Sequence, residues 1–539
     1  MAVGAAVLLA GAAQAQTPRP DAGSTLRDTE RLEPQAPVPV PPALKIDAAP
    51  PAAALPASGG ATVQVTAVRI MGTSVYTDAA LQPLVAEVVG THADLAALQR
   101  VADRVTRYYR SNGYLLAQAR LLTQAIDGGV VQITVSEGRL GSLRLDNSSG
   151  LPTPALDVFV PGKPLRIQDI ERALLQLNET PGASASATLA AGAEAGTVDL
   201  LVSVKPGPKV AGEVTLGNGG SRYTGRYRLG GRLAVNNPFG IGDRLAADLS
   251  ATDGDLYYGR AAYDLPVGSD GARLAFTAAH LRYELGDIFQ AVDAYGTADV
   301  LGVALSYPFV RSRALSVIGS AGYQHKALKD TVLSQTVDKK ADLLVGDFIV
   351  DMRDDGGSTR LAATATAGRL SIDTATALAT DAATARTDGQ FAKFNLIAQR
   401  SQALWGTASL YGMVQGQFSN SNLDSSEKLA LGGSDGVRAY PQGEASGDTG
   451  SLLRVELRQP LAQGLTGIAF YDAGHVEINY QPWTSGNNSR SIAGYGLGLN
   501  WAGSGWFAEL YAAWRAGHDL PHNDSDRSPR VWFRVGFQF

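Results

Sequence analysis

The sequence predicts a transmembrane β-barrel of about 16 antiparallel strands, preceded by two α+β modules and a short helix near the N-terminus. Three observations predict this fold. The chain begins with an apolar segment typical of exported proteins, has no later run of roughly 18 apolar residues, and alternates with a period of two after Pro208. Every backbone polar group inside a bilayer needs a partner within the protein, so an exported chain without a helical span crosses a membrane only as a closed barrel.

The composition excludes several classes of function. The formal net charge of −5 argues against a broad nucleic-acid surface, so we expect no nucleic-acid partner. The chain has no cysteine and only six histidines, which excludes disulfides and thiolate metal sites and leaves few ligands for zinc or iron. We therefore expect no cofactor and no metal. The 61 glycines, with aromatic and β-branched residues recurring in the second half, indicate many turns and strands.

The N-terminal region reads as three successive segments. Residues 1–15 end in Ala-Gln-Ala and resemble a secretory signal peptide with an A-x-A cleavage site, although no Lys or Arg precedes the apolar run and the natural start codon stays open. Within residues 16–33, the stretch from Ser24 to Leu32 predicts a short polar helix capped by Ser24, which would be marginal in isolation. Residues 34–61 are rich in Pro and Ala and predict an extended, semi-rigid linker.

Two α+β modules follow the linker. In the first, residues 62–138, apolar residues recur at strand spacing, then at helix spacing, then at strand spacing again. Its predicted elements are a strand around 63–70, helices 77–90 and 93–112, and strands 114–122 and 129–138. The second module, residues 139–207, repeats this unit in a divergent form. Its predicted elements are a strand around 140–145, a helix over 167–178, and strands 184–190 and 198–204.

The barrel is predicted over residues 208–539. A soluble β-sandwich would show the same alternation, but the length, the ending and the export signal favour a membrane barrel. The 331 residues after Pro208, at roughly 20 per strand and turn, give about 16 strands, an even number within the bacterial range. The last strand is the clearest case, with one apolar face: Val531, Phe533, Val535, Phe537 and Phe539. Phe537 and Phe539 are the candidate C-terminal signal for insertion by the barrel-assembly machinery.

The stretch 432–450 is rich in Gly and acidic residues and carries one basic residue, Arg438. A phosphate loop is excluded because no Lys follows the glycines, no helix follows them, and Glu444 and Asp448 would repel phosphate. No G-x-S-x-G elbow between a strand and a helix and no H-E-x-x-H motif is found, so we expect no enzyme. Four tryptophans are interpreted as interfacial girdle residues: Trp501, Trp506, Trp514 and Trp532.

Asp472 lies in an otherwise apolar predicted strand, on the same face as Phe470 and Gly474. A carboxylate facing lipid is costly, so this face is predicted to line the lumen of the barrel. An aspartate in a partly desolvated lumen gains from a bidentate arginine. Arg438 is one candidate, delivered by a loop that folds back into the barrel. Spacing alone leaves other inward-facing arginines open as partners: Arg226, Arg228 and Arg232.

Over residues 20–539 the sequence strongly resembles the two-partner secretion transporters, the haemolysin- and adhesin-exporting branch of the Omp85 superfamily. The family's loop motif L-G-G-x-x-x-V-R-G/A-Y, followed by G-E-x-x-G-D, is matched by LGGSDGVRAYPQGEASGDTG at 431–450. Its F-x-D-x-G strand is matched by FYDAG at 470–474. Ala439 departs from the pattern, since the superfamily more often has Gly there. Further matches are the first barrel hairpin at 218–228 and 236–245, the Y-P-x-x-R-S strand end at 305–313, and the close of the first POTRA domain at 135–138.

The resemblance implies an N-terminal plug helix, a linker, two periplasmic POTRA domains and a 16-stranded barrel in outer-membrane lipid. It also implies that the loop dips into the barrel and that Arg438 pairs with Asp472. The residues of this expected lid-loop lock are Val437, Arg438, Tyr440, Phe470, Asp472 and Gly474. The implied function is ATP-independent secretion of a large β-rich exoprotein, an adhesin or haemolysin, whose N-terminal secretion domain binds the POTRA domains. The alternative is an outer-membrane protein assembly insertase of the same superfamily.

Overall fold

The computed structural model describes residues 19–31, 44–46, 62–194 and 196–539. They divide into two compact units separated between Gly207 and Pro208, and residues 19–31 belong to the second, larger unit. The predicted signal peptide and most of the predicted linker lie outside the described residues. Among the described residues, no helix is both long enough and apolar enough to cross a membrane.

The described residues contain helices in both units and strands throughout. The α-helices are α1 Ala22–Arg31, α2 Asp78–Val85, α3 Leu95–Ser111, α4 Ile167–Glu179 and α5 Ala375–Ala383. The 3₁₀ helices are Ala86–Val88, Pro154–Leu156 and Asp287–Val292. The strands of the smaller unit are β1 Leu44–Ile46, β2 Thr62–Gln64, β3 Ala67–Met71, β4 His92–Asp94, β5 Gln118–Arg120, β6 Val130–Ser136, β7 Arg139–Asn147, β8 Ala183–Ala191 and β9 Thr197–Pro206.

The remaining strands belong to the larger unit. They are β10 Val210–Gly217, β11 Arg228–Asn236, β12 Arg244–Thr252, β13 Tyr257–Val267, β14 Ala272–Glu284, β15 Tyr295–Arg311, β16 Leu315–Val332, β17 Gln335–Asp354, β18 Gly357–Ile372, β19 Gly389–Ala403, β20 Ser409–Ser419, β21 Leu429–Ala430, β22 Ser446–Gly447, β23 Thr449–Ala462, β24 Leu465–Glu477, β25 Ser489–Gly503, β26 Trp506–Arg515 and β27 Arg530–Gln538.

The first module of the smaller unit packs α2 and α3 against a sheet in the order β3-β6-β5. Asp94 caps α3, since its side chain accepts a hydrogen bond from a backbone N–H of the first turn at 2.7 Å. The apolar stripe of α3, which includes Val101 and Val105, is fully buried. The helix predicted over 77–90 is shorter in the structure, because the Gly90 N–H donates to the carbonyl of Val65, between β2 and β3, rather than continuing the helix.

The second module packs α4 against a sheet in the order β1-β8-β9-β7. β9 is antiparallel to β8 and parallel to β7. The core lies between α4 and the sheet and includes Ile170, Leu174, Leu200 and Val202. The predicted linker contributes β1, which pairs in parallel with β8 so that Leu44 lies opposite Ala187. The sequence did not predict this strand, because three residues are too few to show an alternation.

Glu137 stands at the end of the first module and is buried. Its carboxylate accepts hydrogen bonds from the Ser74 and Val75 N–H groups at 2.7 and 2.9 Å, and from the Tyr109 hydroxyl at 3.1 Å. Arg139, which begins β7 of the second module, adds an ion pair at 3.1 Å. Burial alone would raise the pKa of Glu137, but these hydrogen bonds outweigh burial and hold the pKa below its usual value. The carboxylate therefore stays charged and connects the two modules.

The larger unit is a closed barrel of 16 antiparallel strands, β10–β20 and β23–β27. Strands adjacent in the chain are adjacent in the barrel, and β10 closes the ring against β27. At the end where β10 begins, turns as short as 355–356 and 463–464 join the strands, whereas the opposite end carries connections as long as 420–448. Bacterial outer-membrane barrels have this asymmetry, with short periplasmic turns and long extracellular loops. The predicted barrel of about 16 strands is confirmed.

Side chains of the barrel strands alternate between the two faces. Along β15, Leu301 and Leu305 are exposed on the outside, whereas Ala298 and Val300 are buried on the inside. The inner face carries ion pairs, including Arg232–Asp248 at 2.5 Å, Arg360–Asp351 at 2.7 Å and Arg534–Glu509 at 3.0 Å. An apolar outer face and a polar inner face are what a barrel in lipid requires.

The substitution Glu137→Ala is expected to destabilise the smaller unit by about 3 kcal/mol, because it leaves buried N–H groups and the Tyr109 hydroxyl without an acceptor. Hydrogen–deuterium exchange of the full chain should then be faster across residues 62–138. The matched control is Arg104→Ala, which removes a surface ion pair and should cost less than about 1 kcal/mol. Equal exchange in the two variants would contradict the role assigned to Glu137.

Candidate functional site

The connection 420–448 between β20 and β23 folds back against the inner wall of the barrel, and we call it the inner loop. It contains its own short hairpin, in which β21 pairs with β22. Leu431, Val437 and Tyr440 of the loop are buried in one cluster with wall residues that include Ile468 and Phe470 of β24. The loop predicted to dip into the barrel therefore packs as part of its interior.

The tip of the inner loop is folded tightly by its own backbone. The Val437 N–H donates to the Leu431 carbonyl at 2.8 Å, and the Gly433 N–H donates to the Tyr440 carbonyl at 3.2 Å. Gly433 has a φ of 113°, a conformation that favours glycine. The Tyr440 hydroxyl leaves the loop and donates to the carbonyl of Asp519 at 2.9 Å. This geometry presents Arg438 to the wall in one fixed orientation.

Arg438 has no exposed side-chain surface and contacts two carboxylates. Its Nε and Nη2 donate to the two oxygens of Asp472 at 2.8 and 2.7 Å, which is a bidentate contact, and its backbone N–H donates to the same group at 3.2 Å. Its Nη1 donates to Glu456 Oε1 of β23 at 2.8 Å. The Phe470 ring centroid lies 3.5 Å from the guanidinium carbon and that of Tyr511 lies 5.1 Å away, so the charge also rests on aromatic faces.

The surroundings of Arg438 balance its charge. Glu456 also accepts hydrogen bonds from Arg454 at 3.2 Å and from Arg458 at 2.7 Å, so three arginines share two carboxylates. Burial would lower the pKa of Arg438, but the hydrogen bonds and charge of Asp472 and the charge of Glu456 raise it. The arginine is therefore a permanent cation. In a dry environment, removing one partner of such a group leaves an uncompensated charge.

Two glycines make room for the inner loop. A side chain at Gly474 would begin 2.9 Å from the methyl groups of Leu431, so the last glycine of the F-x-D-x-G strand is needed for close packing. A side chain at Gly494 of β25 would collide with the methyl group of Ala439. Ala439 replaces the more usual glycine of the loop motif, and the space it needs is provided by Gly494.

Trp532 was predicted to belong to the interfacial girdle, and this prediction is wrong. Its side chain is 5% exposed, and its Nε1 donates to the Arg438 carbonyl at 2.7 Å. The alternation of the last strand already places Trp532 opposite the apolar outer face. Trp501 and Trp506, by contrast, are exposed at 43% and 51%. Trp514 stacks on an exposed tyrosine with ring centroids 6.2 Å apart.

The other arginines considered as partners of Asp472 have different contacts. Arg226 pairs with Asp524 at 2.8 Å, and Arg232 pairs with the wall residue Asp248. Arg228 donates to the carbonyl of Thr29 in α1 at 3.2 Å. Sequence reasoning missed Glu456 as a second acceptor for Arg438, although it alternates with Arg454 and Arg458 on the polar face of β23.

Most of the acidic residues of the inner loop contact a cation, which explains its unusual composition. Their ion pairs are Asp424–Lys339 at 2.6 Å, Glu427–Lys326 at 2.7 Å, Glu427–Lys393 at 2.8 Å, Glu444–Arg490 at 2.5 Å and Asp448–Lys428 at 2.7 Å. Burial raises the pKa of Glu427, but the neighbouring lysines lower it to about 2. The loop is thus held by charges along most of its length as well as by Arg438.

The helix α1 lies beside the inner loop and against the barrel wall. Its Ala22 and Leu26 are buried in a cluster of inward-facing wall residues. The sequence predicted Ser24 as its cap, whereas the helix begins at Ala22. Asp21 is the capping residue, because its carboxylate accepts from the Ser24 N–H at 2.8 Å while the Asp21 N–H donates to Ser24 Oγ at 3.0 Å.

Three residues of α1, together with Asp21 just before it, contact the inner loop. The Ser425 hydroxyl donates to Asp21 at 2.7 Å, and Arg27 Nη1 donates to the Ser425 carbonyl at 3.0 Å. Arg31 Nη1 donates to the Ala430 carbonyl at 2.5 Å. A side chain at Gly23 would lie 2.8 Å from a backbone nitrogen of the loop, so the two segments approach closely. Helix and loop therefore fill this part of the lumen together.

The aromatic residues proposed as a C-terminal signal lie at the seam between β27 and β10. The Phe537 ring packs on Trp506 with centroids 4.9 Å apart, and Phe539 stacks on Phe537 at 6.2 Å. The backbone of Phe539 exchanges hydrogen bonds with that of Gly212 at 2.9 and 3.0 Å. These residues stand apart from the inner loop and close the last strand onto the first.

Removing either partner of the Arg438–Asp472 pair is expected to destabilise the docking of the inner loop by about 3 kcal/mol, because the other charge stays buried without its partner. The double variant Arg438→Ala/Asp472→Ala should cost clearly less than the sum of the single variants. Amide exchange of residues 430–448 by mass spectrometry measures all three variants. Additive effects would show that the two side chains act independently.

Comparison with known proteins gives the family and the fold. The family described as haemolysin secretion/activation protein ShlB/FhaC/HecB matches residues 196–501, and the ShlB-type POTRA domain matches residues 63–138. The heme/hemopexin transporter protein HuxB of Haemophilus influenzae (strain 86-028NP) is 32% identical over 258 residues, which are 47% of this chain and 46% of HuxB. The outer membrane transporter CdiB of Escherichia coli O6:K15:H31 is 28% identical over 333 residues, covering 58% of this chain and 54% of CdiB. The chain thus spans about half the length of these curated relatives.

Solved structures agree on the fold. CdiB from Escherichia coli superposes with a TM-score of 0.75 at 22% identity, covering 96% of each chain. CdiB from Acinetobacter baumannii superposes with a TM-score of 0.67 at 16% identity, covering 89% of this chain and 91% of that one. The family match covers more than half of the 539 residues. The chain therefore belongs to the ShlB/FhaC/HecB family of haemolysin secretion/activation proteins, with its barrel in the outer membrane and its POTRA region in the periplasm.

Proposed function

We propose that this protein secretes one large, β-rich exoprotein, an adhesin or a haemolysin, across the outer membrane through its barrel and without ATP. The observation that carries the proposal is the filling of the lumen by two segments, α1 and the inner loop, which are held by ion pairs and hydrogen bonds as well as by apolar contacts. A passive pore needs no such filling and no periplasmic modules. The family match favours export over the insertase alternative.

The proposed organisation follows the predicted segments. Residues 1–15 are the signal peptide, 16–33 the plug segment, 34–61 the linker, 62–138 and 139–207 the two POTRA domains, and 208–539 the barrel. The POTRA domains bind the N-terminal secretion domain of the exoprotein by adding its strands to sheet edges. Folding of the exoprotein outside the cell makes its passage directional, since the periplasm supplies no ATP.

The lid-loop lock is proposed to consist of Val437, Arg438 and Tyr440 in the inner loop and Phe470, Asp472 and Gly474 in β24. Arg438 fixes the loop to the wall through Asp472, and Phe470 shields the pair from water. Gly474 leaves space for the loop, while Val437 and Tyr440 shape its tip. Before any of this operates, the barrel must be inserted, and we assign Phe537 and Phe539 as the signal that the barrel-assembly machinery binds.

The variant Arg438→Ala is expected to secrete at least about tenfold less exoprotein than the wild type, because a contact of several kcal/mol fixes the loop. The amount of exoprotein in the culture medium measures this effect, and heat-modifiable migration of the barrel shows that insertion is normal. Arg400→Ala is the matched control, since Arg400 pairs with Asp354 away from the inner loop. Normal secretion by Arg438→Ala would contradict the proposed lid-loop lock.

Deletion of residues 21–33 is expected to raise single-channel conductance in planar bilayers, because α1 and its contacts no longer occupy the lumen. Ser24→Ala serves as the control: it weakens the cap by about 1 kcal/mol but leaves Leu26 and the contacts of Arg27 and Arg31 in place. Its conductance should match that of the wild type. If the deletion leaves conductance unchanged, the plug assignment is wrong.

A further inference from the structure

The loop motif continues beyond the lid-loop lock as G-E-x-x-G-D, and its two carboxylates are buried. Glu444 and Asp448 have no exposed surface. Each accepts hydrogen bonds from the backbone of a connection at the end of the barrel that carries the long loops. These connections are 516–529 between β26 and β27, which we call the mouth loop, and 478–488 between β24 and β25.

Glu444 binds the mouth loop through both of its carboxylate oxygens. The His522 N–H donates to Oε1 at 2.9 Å and to Oε2 at 3.1 Å, and the Asn523 N–H donates to Oε2 at 2.8 Å. Arg490 of β25 pairs with Glu444 at 2.5 Å and also donates to the Leu520 carbonyl at 2.9 Å. The carboxylate and the arginine therefore hold one short stretch of the mouth loop together.

Asp448 holds the connection 478–488 in the same manner. Its Oδ2 accepts from the Tyr480 N–H at 2.9 Å, and its Oδ1 pairs with Lys428 at 2.7 Å. Lys428 in turn donates to the Ile478 carbonyl at 2.6 Å. Each carboxylate of the motif thus acts with one cation on the backbone of one connection.

The two carboxylates differ in the part of the protein that carries them. Glu444 belongs to the folded tip of the inner loop, because the Gly432 N–H donates to its backbone carbonyl at 2.9 Å. The Tyr440 hydroxyl, which contacts the mouth loop at 2.9 Å, belongs to the same tip. Asp448 belongs to the wall, since its own N–H donates to the Glu477 carbonyl of β24 at 2.9 Å. Movement of the tip therefore displaces Glu444 and leaves Asp448 in place.

We propose that Glu444 couples the inner loop to the mouth loop, so that undocking of the tip also opens the barrel at the mouth loop. Asp448 meanwhile keeps the connection 478–488 in place. This inference rests on the proposed function and adds a positioning residue to it, since Glu444 acts through the mouth loop and not on the exoprotein. Asp524, the next residue of the mouth loop, pairs with Arg226 at 2.8 Å. That pair remains when Glu444 leaves, so the mouth loop opens on the side that precedes it.

The first test measures which connection each carboxylate holds, by hydrogen–deuterium exchange of the full-length protein. Both oxygens of Glu444 accept from the mouth loop, so the amide of Glu444→Gln must turn its NH₂ group toward one of these N–H groups. Exchange of residues 518–523 should become at least about tenfold faster, and that of residues 478–482 should not change. Asp448→Ala should do the reverse. The control Tyr480→Ala removes an exposed side chain but keeps the N–H, and should exchange as the wild type.

Two outcomes of this test would overturn the inference. One is exchange of residues 518–523 in Glu444→Gln at the wild-type rate. The other is equally faster exchange of both connections in that variant, which would indicate general loosening of the barrel. Heat-modifiable migration shows that each variant is folded.

The second test measures whether the mouth loop follows the tip. Arg438→Ala releases the tip from the wall, so exchange of residues 518–523 should again become at least about tenfold faster while that of residues 478–482 stays unchanged. Adding Glu444→Gln to Arg438→Ala should have little further effect, because the two changes release the same contact. Unchanged exchange of residues 518–523 in Arg438→Ala would show that the two loops move independently, and would overturn the inference.

The third test measures opening of the pore in planar bilayers, with residues 21–33 deleted so that α1 does not occupy the lumen. Glu444→Gln in this background should open at least about tenfold more often than the deletion alone, because the mouth loop is no longer held closed. Arg400→Ala in the same background should not change the opening frequency. Equal frequencies with and without Glu444→Gln would overturn the inference.

These tests separate failure of the inference from failure of the proposed function. All three use the purified protein and involve no exoprotein, so they decide the coupling of the two loops by themselves. Absence of the exoprotein from the medium of wild-type cells would instead overturn the proposed function.

Discussion

The burial of Arg438 is the constraint on which the interior of the barrel depends. A guanidinium without exposed surface is tolerated only if its donors find acceptors, and Asp472 and Glu456 provide them at 2.7 to 2.8 Å. The Phe470 ring covers one face of the guanidinium, and Gly474 has no side chain that would hold the loop away from the wall. The three fixed residues of the F-x-D-x-G strand therefore act together: Phe470 packs on the guanidinium, Asp472 pairs with it, and Gly474 leaves space for the loop.

The remainder of the inner loop is held by a different balance of forces. Its carboxylates pair with lysines and with Arg490, and these side chains are largely shielded from water, so each charge depends on its partner. Glu427, with a pKa of about 2, stays ionised and keeps its two lysines throughout the physiological range. Undocking the loop therefore separates these ion pairs and also uncovers the apolar cluster of Leu431, Val437 and Tyr440, so both kinds of contact hold the loop in place.

Sequence patterns predicted the barrel and one partner of its central ion pair, Asp472. Alternation placed Asp472 on the inner face, but it could not choose Arg438 over three other inward arginines. The alternation of a strand predicts which side chains face inward and does not predict where a loop folds. The inward orientation of Trp532 and Glu456 could have been predicted, since the alternation of their strands places both on the inner face. The pairing of β1 could not be predicted from the sequence, since three residues in a Pro-rich segment are too few to show an alternation.

Within the proposed mechanism, the contacts fix the order in which the two segments leave. α1 holds the loop through donors to backbone carbonyls, from Arg27 to Ser425 and from Arg31 to Ala430, and these donors do not contact the carboxylates that hold Arg438. The helix can therefore leave while the loop stays docked. Freeing the loop first would instead remove the loop carbonyls that accept from Arg27 and Arg31 while both side chains remain buried, and Arg27 would keep only Asp28 as an acceptor. Departure of α1 followed by release of the loop leaves fewer buried charges unpaired at each step.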